Sequence, residues 1–521
     1  MAKITFNKWI IIFTVVSASM LQLIDTSIVN VTLSDMMGNL GATFTEIGWV
    51  VTGYSAANVI MIVLSGWLGF KLGRKNYFTG SIILFTLASF LCGNAHGVGE
   101  LVFFRIIQGL GGGGLMATSQ TILVESFPRE DLGMANAIFG MSIVLGPAFG
   151  PTLGGYITDH LSWHWVFYIN IPVGILATIL AFLFIKEPDE TIKTGKMDWL
   201  AFALLVIGIG SLQVVLENGE REDWFSTTYI TVLAVSAVIG GILFIWREVT
   251  VENPIINLRL LRYHRFGAGA FFAFMRGFGQ YGSIFVIPVF CQTLLGYTAE
   301  QTGLLLLPGS LAAGVMMPIV GQAMKRTKIS PIVMAGFGFV IYIIFLQLLS
   351  HMSLATGPQD FIFPIILRGV AGGLLFIPLT TITLYDLKNV EMPQGTAFLN
   401  TSQQLGGSFG IAIMATYLTT RSEFHAARLN TYVNAYDPHT TARLSALIHT
   451  FMQNGADYLT AKGKALTAIH GLISKQAMIL TYNDIFYLIS IFFLICIPLL
   501  VLFISKKKKD KAELPDLGLA E

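Results

Sequence analysis

One carboxylate stands deep inside an apolar stretch of this 521-residue chain. Asp25 interrupts the hydrophobic run that follows Lys8. Moving a charge to the middle of a bilayer costs about 2.5–3.5 kcal/mol, so such residues usually face a cavity and work there. Desolvation can hold the carboxyl near neutrality, and water or a cation can switch it. Asp25 is therefore predicted to carry a proton, and the alternative is a structural pin between helices.

Arg105 and Gln108 stand one helical turn apart in another apolar run. A buried guanidinium needs an anionic or carbonyl partner. Asp25 is the natural candidate if the first and fourth runs face one cavity, and the alternative for Arg105 is again a structural pin. Arg276 and Arg368 are the other basic residues inside apolar runs. We expect them to be the equivalents of Arg105 in the second half, although an arginine can also anchor a cavity or reach the membrane surface.

Glycine recurs at every fourth position near residue 150. Gly146, Gly150 and Gly154 form a ridge without side chains, which lets a neighbouring membrane helix approach closely. Pro147 and Pro151 remove backbone donors from the same helix and favour a bend. A plain packing face explains the small residues, but it rarely produces this order of glycine and proline.

The elements that must position these residues are membrane helices. The chain is 54% hydrophobic and only 12% charged, with a mean hydropathy of +0.69, whereas soluble domains carry about 25% charged residues. Cys92, Cys291 and Cys496 fall in apolar stretches and indicate neither a disulfide framework nor a metal site. Fourteen apolar stretches of about 20 residues can be placed, at 9–31, 47–70, 77–96, 100–124, 134–158, 165–185, 199–217, 228–246, 266–293, 301–324, 331–351, 361–386, 395–418 and 483–505.

The distribution of basic residues predicts the orientation. With a cytoplasmic N-terminus, twenty-two of the 32 Lys and Arg fall in inner segments, against one, Arg221, in the six short outer loops. This bias is the positive-inside rule, from which long loops such as 419–481 are exempt. The sequence therefore predicts a multi-pass protein of the cytoplasmic (inner) membrane with both termini inside.

Three motifs recur at an offset of eight spans. The segments that begin at Arg105, Gly66 and Gly146 are echoed by those that begin at Arg368, Gly321 and Gly406. Two parallel repeats with two helices inserted between them would give this offset. The predicted fold is therefore all-α and polytopic, with two six-helix bundles plus two inserted helices. The predicted units are a first bundle at 1–186, a connector and inserted helices at 187–247, a second bundle at 248–505 and a basic cytoplasmic tail at 506–521.

The segment 419–481 is the one large piece predicted outside the membrane, on the outer face. Leu444, Leu447, Ile448 and Phe451 follow helical spacing within it. We expect a small helical hairpin or an extension of the last two spans. It is either a solvated loop or a docking surface for a partner.

These motifs together resemble those of the major facilitator superfamily, in its fourteen-span drug:proton antiporter branch of the EmrB/QacA type. The resemblance is carried by 21–31, 101–109, 163–174 and 395–410, and by the antiporter signature of the fifth span. That signature comprises Gly140, Gly146, Pro147, Gly150, Pro151, Gly154 and Gly155. The resemblance implies a major facilitator fold, proton coupling through Asp25, Arg105 and Gln108, and multidrug efflux of hydrophobic or amphipathic compounds by alternating access.

Two positions depart from the family pattern. The loop residues Gly66, Lys71, Gly73, Arg74 and Lys75 resemble the superfamily signature between spans two and three. Many members have an acid where Phe70 stands, which puts the latch of the inward-closed state in doubt and leaves a plain positive-inside anchor as an equal alternative. Many relatives carry arginine at the position of Gln403, so the role of that charge cannot be transferred. The aromatic segment 163–174 predicts an interfacial belt and marks the fold.

A hydrophobic substrate needs an apolar cavity with a few polar groups. The candidate polar groups are Asn30, Arg276, Gln280, Tyr281, Gln292, Arg368, Asn400 and Gln404, beside the aromatic residues Phe271, Phe272, Phe274 and Phe278. Packing or lipid contact is the alternative for each. The expected partners are protons, a small hydrophobic substrate and the lipid bilayer, with no cofactor, metal or nucleic acid. For 419–481, the resemblance implies a periplasmic adaptor protein and an outer-membrane channel.

The sequence argues against an enzyme. The segments 109–114 and 406–410 match a dinucleotide-binding and a hydrolase motif, but both lie in membrane spans without a preceding strand. A phosphate-binding loop of the Walker A type does not occur in the sequence, so ATP is not expected to drive transport directly. Two alternatives stay open. One is a facilitator for a specific metabolite, fatty acid or siderophore, and the other is a non-transporting receptor or scaffold in which Asp25→Asn would leave function intact.

Overall fold

The computed structural model describes residues 6–187, 195–327, 329–434 and 436–504. Within these ranges the regular elements are all helical, which confirms the predicted all-α class. The α-helices are α1 Phe6–Leu40, α2 Phe44–Leu72, α3 Arg74–Gly93, α4 Val98–Ser126, α5 Leu132–His160, α6 Trp165–Tyr168, α7 Asn170–Phe184, α8 Trp199–Leu205, α9 Ser211–Asn218, α10 Thr228–Thr250, α11 His264–Thr293, α12 Ala299–Arg326, α13 Pro331–Leu349, α14 Pro358–Tyr385, α15 Met392–Asn430, α16 Pro438–Gln453 and α17 Tyr458–Leu499.

Twelve segments of the described chain are helical, long and apolar enough to cross a membrane. The helices α11 and α15 are not among them, although they are 30 and 39 residues long. Both carry polar side chains within their apolar runs, such as Arg276 in α11 and Asn400 and Gln403 in α15, and these side chains are buried against other helices. The chain is a multi-pass membrane protein, and the count of fourteen spans stays a prediction.

The helices pack in two groups that meet along a common interface. In the first group, α1 packs against α5 and α7, and α4 packs against α2 and α3. In the second, α11 packs against α15, α14 packs against α12 and α13, and α17 packs against α13 and α15. The two groups touch mainly where α5 meets α12 and where α2 meets α15.

The helices α8, α9 and α10 lie beside this interface. A π-helical turn, Val206–Gly210, joins α8 to α9. A Cβ at Gly208 would come within 2.7 Å of the backbone nitrogen of Gly241, so α10 crosses at a distance that needs glycine. Helix α9 packs against both α2 and α15 and thus touches both groups. The boundaries at 186, 247 and 505 stay a prediction.

The segment 419–481 is helical in its described part, as the spacing predicts. Helix α15 continues to Asn430, α16 spans Pro438–Gln453, and α17 begins at Tyr458. Asp484 of α17 accepts hydrogen bonds from Arg421 at 2.7 Å and His425 at 2.8 Å, both on α15. The predicted tail 506–521 and the connector residues 188–194 lie outside the described residues.

Candidate proton-coupling site and substrate cavity

Asp25, Arg105 and Gln108 meet at one buried point between α1 and α4. The Asp25 side chain is 0% exposed and Arg105 is 1% exposed. Arg105 donates from Nη1 to Oδ2 of Asp25 at 2.6 Å, and Gln108 donates from Nε2 to Oδ1 at 2.9 Å. Arg105 also donates to Oε1 of Gln108 at 2.7 Å and to the carbonyl of Val50 at 3.2 Å. The expected pairing of Asp25 with Arg105 is present, and the proton-coupling role of these residues stays a prediction.

Aromatic rings enclose the charged pair. The guanidinium carbon of Arg105 lies 4.0 Å from the centre of the Tyr54 ring and 5.8 Å from that of Phe167. Both rings are fully buried. A desolvated guanidinium over a ring face gains about 2 kcal/mol or more. The rings therefore hold Arg105 in place and keep water from screening its pairing with Asp25.

A fourth polar residue completes the site, and it is absent from the predicted set. Asn170, at the start of α7, donates from Nδ2 to Oδ1 of Asp25 at 2.8 Å and to Oγ of Ser89 at 3.0 Å. Ser89 in turn donates to the carbonyl of Phe167 at 2.9 Å. The sequence signal was a side-chain amide in a stretch with a mean hydropathy of 2.2. A polar side chain in such a stretch is a candidate for a functional site. The aromatic residues around Asn170 led instead to its interpretation as part of an interfacial belt.

The glycine ridge of α5 faces α1, the helix that carries Asp25. A Cβ at Gly146 would meet Leu23, one at Gly150 would collide with Ser27, and one at Gly154 would come within 2.9 Å of Ile28. The expected close approach is therefore present, and the partner is the stretch of α1 on both sides of Asp25. Helix α5 is continuous from Leu132 to His160.

The other signature residues lie elsewhere on α5. Gly140 faces Met317 and Phe376 of the second helix group, and Gly155 has only Glu300 near its Cβ position, at 3.9 Å. Pro147 lines the central cavity. Pro151 lies within α5, and its side chain falls outside the described residues.

A central cavity of about 70 Å³ brings Arg276 and Arg368 together with Gln280, Tyr342 and Pro147. Its lining residues include no carboxylate. Nε of Arg276 and Nη1 of Arg368 are buried without a hydrogen-bond partner in the described part of the chain. Neither arginine meets an acidic residue there as Arg105 meets Asp25, and their role as the equivalents of Arg105 stays a prediction.

Arg276 is held by neutral groups. Its Nη2 donates to Oε1 of Gln403 and its Nη1 donates to Oγ1 of Thr380 at 3.5 Å. Its guanidinium carbon lies 4.4 Å from the centre of the Phe376 ring. Gln403, at the position where many relatives carry arginine, thus accepts a hydrogen bond from a cation, which a second arginine could not do.

The remaining candidate substrate residues are dispersed. Asn400 lines a cavity next to the central one. Tyr281 packs against Gly407, and Gln404 is half-buried beside it. Asn30 and Gln292 are exposed. Of these, only Asn400 lines either cavity, and the substrate roles of all five stay predictions.

Polar contacts join the two helix groups on the side predicted to be cytoplasmic. Asn400 donates to Gln120 at 2.7 Å, and Asn136 donates to Thr381 at 3.2 Å. The hydroxyls of Thr121 and Thr396 lie 2.6 Å apart. Two further links cross near the helix ends, with Lys325 2.6 Å from Asp131 and Arg129 donating to the carbonyl of Leu387 at 3.0 Å. The groups are therefore in contact on that side.

The loop between α2 and α3 contacts acidic residues of the first helix group. Arg74 forms an ion pair with Glu125 of α4. The carboxylate of Glu187 accepts hydrogen bonds from the backbone nitrogens of Arg74 at 2.9 Å and Lys75 at 3.1 Å. Gly73 has a φ of 84° and faces Glu187. These contacts favour the anchor interpretation over a latch between the groups.

The other loop residues differ in their surroundings. Gly66 is buried, and its Cβ position lies 3.1 Å from the backbone of Gln394 on α15. Lys71 is exposed. The ammonium of Lys75 lies 4.9 Å from the centre of the Phe182 ring. Gly66 thus touches the second helix group.

Comparison with known proteins identifies the family. The sequence profile of the Major Facilitator Superfamily matches residues 15–411. The chain belongs to the major facilitator superfamily. It is 32% identical over 487 residues to the multidrug export protein EmrB of Escherichia coli, with 92% of each chain covered. It is 31% identical to the fatty acid resistance protein FarB of Neisseria gonorrhoeae, over 92% of this chain and 93% of FarB.

These relatives confirm the EmrB-like branch that the motifs resemble. The solved structure of the human organic anion transporter TETRAN matches with a TM-score of 0.61 and 12% identity, over 93% of this chain and 99% of that one. That likeness confirms the major facilitator fold. The superfamily is one of transporters, so the comparisons favour transport over catalysis.

Proposed function

We propose that this protein is a proton-coupled multidrug antiporter that exports hydrophobic or amphipathic compounds across the cytoplasmic membrane, with both termini inside. The observation that carries the proposal is the buried carboxylate of Asp25, which is held by Arg105, Gln108 and Asn170. This carboxylate lies inside the membrane and is stabilised by one cation and two amide donors. Binding of one proton would neutralise its charge. The names of the relatives, multidrug export proteins among them, support export as the direction.

Protonation would change the hydrogen bonding at this site. The ionised Asp25 accepts from three side chains, whereas the protonated carboxyl gains a donor and loses the attraction to Arg105. Gln108 and Asn170 would then reorient, and α1 would shift against the glycine ridge of α5. Protonation from the outside would release the substrate, and loss of the proton to the cytoplasm would restore affinity.

The connection from Asp25 to the cavity runs through α5. Gly146 contacts Leu23, which lies two residues before Asp25, and the adjacent Pro147 lines the cavity that contains Arg276 and Arg368. A displacement of α1 therefore acts on the wall of the cavity through two adjacent residues. The halves would rock about this region, since alternating access in such transporters is largely a rigid-body motion around a fixed site.

The positive charge of the central cavity favours a substrate that carries an acidic or electron-rich group. Arg276, which is buried, and Arg368, which is half-buried, line one cavity whose lining residues include no carboxylate. Each has a nitrogen without a partner, and an unsatisfied buried donor of this kind costs about 1–3 kcal/mol or more. A substrate carboxylate or phenolate would satisfy both, while its apolar body would pack against Ile284, Leu306 and Phe493.

The outer helices are a candidate docking surface for a periplasmic adaptor that leads to an outer-membrane channel. Large side chains are exposed there, among them Tyr432, Tyr436 and Leu459, which are 68%, 96% and 78% exposed. Exposed apolar patches of this kind mark interaction surfaces. Unchanged export from intact double-membraned cells after removal of residues 431–457 would contradict this part of the proposal.

Reconstituted vesicles test the central claim. Purified protein in vesicles with an imposed pH gradient is expected to move a fluorescent amphipathic acid against its gradient, and Asp25→Asn is expected to abolish this movement. Asp35→Asn is the control, because Asp35 lies at an exposed position of the same helix. Gradient-driven movement that persists in Asp25→Asn would contradict the proposal.

A further inference from the structure

A second carboxylate, Glu217, lies half-buried near the end of α9. Gln213 donates from Nε2 to Oε1 of Glu217 at 2.8 Å and to Oγ of Ser408 at 2.9 Å. Ser408 donates back to Oε1 of Gln213 at 3.1 Å. Oε2 of Glu217 is buried and has no hydrogen-bond partner within the described residues. The export mechanism above does not use this carboxylate.

Helix α9 connects the two helix groups at this level. Asn218 lies 3.4 Å from the hydroxyl of Thr52 on α2, and Thr52 and Ser55 face the carboxyl of Glu217. The Gln213–Ser408 pair joins α9 to α15, and Trp224 donates to Thr416 of α15 at 3.0 Å. These contacts lie toward the predicted outer end of α2, whereas the inter-group contacts of Thr121, Asn136 and Asn400 lie toward the inner side.

Few charges face Glu217 from the elements around it. Helix α2 carries charged residues only near its ends, at Glu46 and Lys71, and α15 carries none between Met392 and Thr420. On α10 the charged residues Arg247 and Glu248 lie at the far end, and Tyr229 is the titratable group at the near end.

The loop after α9 contributes four charged residues, Glu220 to Asp223. Arg221 has its guanidinium carbon 4.5 Å from the centre of the Phe44 ring, and Glu220 accepts a hydrogen bond from Thr419 at 2.6 Å. No ion pair to Glu217 forms among the residues that the structure describes.

This arrangement fits a protonated carboxyl. An ionised carboxylate is costly here, because among the described residues Oε2 has no donor and the carboxyl has no ion-pair partner to offset the loss of water at that oxygen. A protonated Oε2 becomes a donor that the hydroxyl oxygens of Thr52 and Ser55 can accept. Loss of the proton would leave an uncompensated charge between α2 and α15, and water would have to enter to stabilise it.

We propose that Glu217 is a second proton-binding residue and that its proton holds α9 between the outer halves of α2 and α15, so that deprotonation separates them. The inference rests on the rocking motion of the proposed function, but not on Asp25 or on export. In this proposal, the contact that α9 makes between the two helix groups on the outer side depends on external pH.

Infrared difference spectroscopy on the purified protein tests the protonation state. A carbonyl stretching band of a protonated carboxyl is expected in the wild type at acid pH, and this band is expected to be lost in Glu217→Gln. Glu222→Gln is the matched control, since it changes a neighbouring loop carboxylate. Equal protonated-carboxyl bands in the wild type and Glu217→Gln would overturn the proposal.

Spin-label distances test the separation. Labels at Thr45→Cys and Thr420→Cys, both exposed positions at the outer ends of α2 and α15, are placed in a chain whose three buried cysteines are replaced by serine. Between about pH 5 and about pH 9, a range that covers documented values for buried glutamates, the wild type is expected to gain a longer-distance population. The ratio of short to long distances should fall about tenfold per pH unit above the midpoint of a one-proton switch.

The variants distinguish this proposal from the proposed function. Glu217→Gln is expected to keep the short distance at every pH, whereas Asp25→Asn and Glu222→Gln are expected to keep the pH response. A wild-type distance that does not change with pH, or a response that persists in Glu217→Gln, would overturn the role of Glu217. A pH response that is lost in Asp25→Asn and kept in Glu217→Gln would also overturn it. None of these results depends on whether the protein exports a drug.

Discussion

Asn170 donates a hydrogen bond of 2.8 Å from its side-chain amide to Oδ1 of Asp25, across 145 residues of sequence. Arg105 occupies the other carboxylate oxygen. The charged form of Asp25 is therefore held from both sides, by α4 and by α7. In the proposed mechanism, Asn170 is therefore a positioning residue for the carboxylate of Asp25.

Asn170→Leu is expected to move the pH dependence of transport to higher pH. Removing a donor to a carboxylate disfavours the ionised form, and proton exchange at Asp25 is the step that the proposed mechanism couples to transport. The pH profile of export in vesicles measures the shift. Asn94→Leu changes an exposed asparagine and should leave the pH profile unchanged. An unshifted profile in Asn170→Leu would contradict the role proposed for Asn170.

Arg105→Leu is expected to destabilise the protein strongly, and Asp25→Leu in the same chain is expected to restore much of the stability. Removing one member of a buried ion pair leaves an uncompensated charge and costs about 3–5 kcal/mol, whereas replacing both by apolar residues is often neutral. Thermal unfolding in detergent measures both effects. The double variant should be folded but unable to couple protons. Additive losses of stability in the two single variants and the double variant would mean that the pair does not act as a unit.

Gly150→Ala is expected to impair transport, because the new methyl group would collide with Ser27 and push α1 away from α5. Ser27→Gly in the same chain should restore part of the rate by making room. Gly155→Ala is the control, since its Cβ would have only Glu300 near it, at 3.9 Å. Initial rates of export give the comparison. Equal effects of the two alanine substitutions would show that the contact with α1 is not what matters.

Arg276→Gln and Arg368→Gln are expected to weaken the export of acidic substrates selectively. Each removes a cation from a cavity whose lining residues include no carboxylate, so the KM for an amphipathic acid should rise several-fold, while a neutral compound of the same size is affected less. A double variant should lose most of the preference. If acidic and neutral compounds respond equally to both substitutions, the arginines have a structural role instead of selecting charge.

The outer helix α16 is expected to loosen at acid pH. The Thr440 hydroxyl, and then its backbone nitrogen, donate to Asp437 at 2.7 Å each and lower the pKa of that carboxyl. A lowered pKa means that this cap stabilises α16 above the ordinary range of aspartate and that the stabilisation is lost as pH falls through the lowered value. Limited proteolysis of the outer segment should become faster there. Asp437→Asn, which can still cap but does not titrate, should remove this pH dependence.

The sequence predicts the helices and the pairing of Asp25 with Arg105 because both follow from the cost of polar groups in a membrane. It does not identify Asn170, since that residue stands in a segment whose aromatic residues already account for its pattern. It also does not show which groups surround Arg276 and Arg368. Their position in the repeat resembles that of Arg105, but whether an acid stands opposite a side chain depends on how helices distant in sequence pack.

The glycine ridge of α5 shows the same difference between what the sequence predicts and what only the fold reveals. The spacing of Gly146, Gly150 and Gly154 predicts that some helix lies close, but it carries no information on which one. Contacts of the ridge with Leu23, Ser27 and Ile28 identify that helix as α1. The link between the antiporter signature and Asp25 is therefore a property of the fold. Similarly, Glu217 stands near the end of an apolar run, and the packing of α9 against α2 and α15 shows what surrounds it.

Proton release on substrate binding is the decisive measurement for the role of Asp25. Purified protein in weakly buffered detergent solution, mixed with hydrophobic acidic and cationic compounds, is monitored with a pH-sensitive dye in the wild type and in Asp25→Asn. Because linkage is reciprocal, a compound that binds in competition with the proton must displace it. We expect proton release from the wild type and none from Asp25→Asn, with Glu217→Gln retaining release. Binding without release in the wild type, or equal release from Asp25→Asn, would contradict the role of Asp25 as the proton carrier.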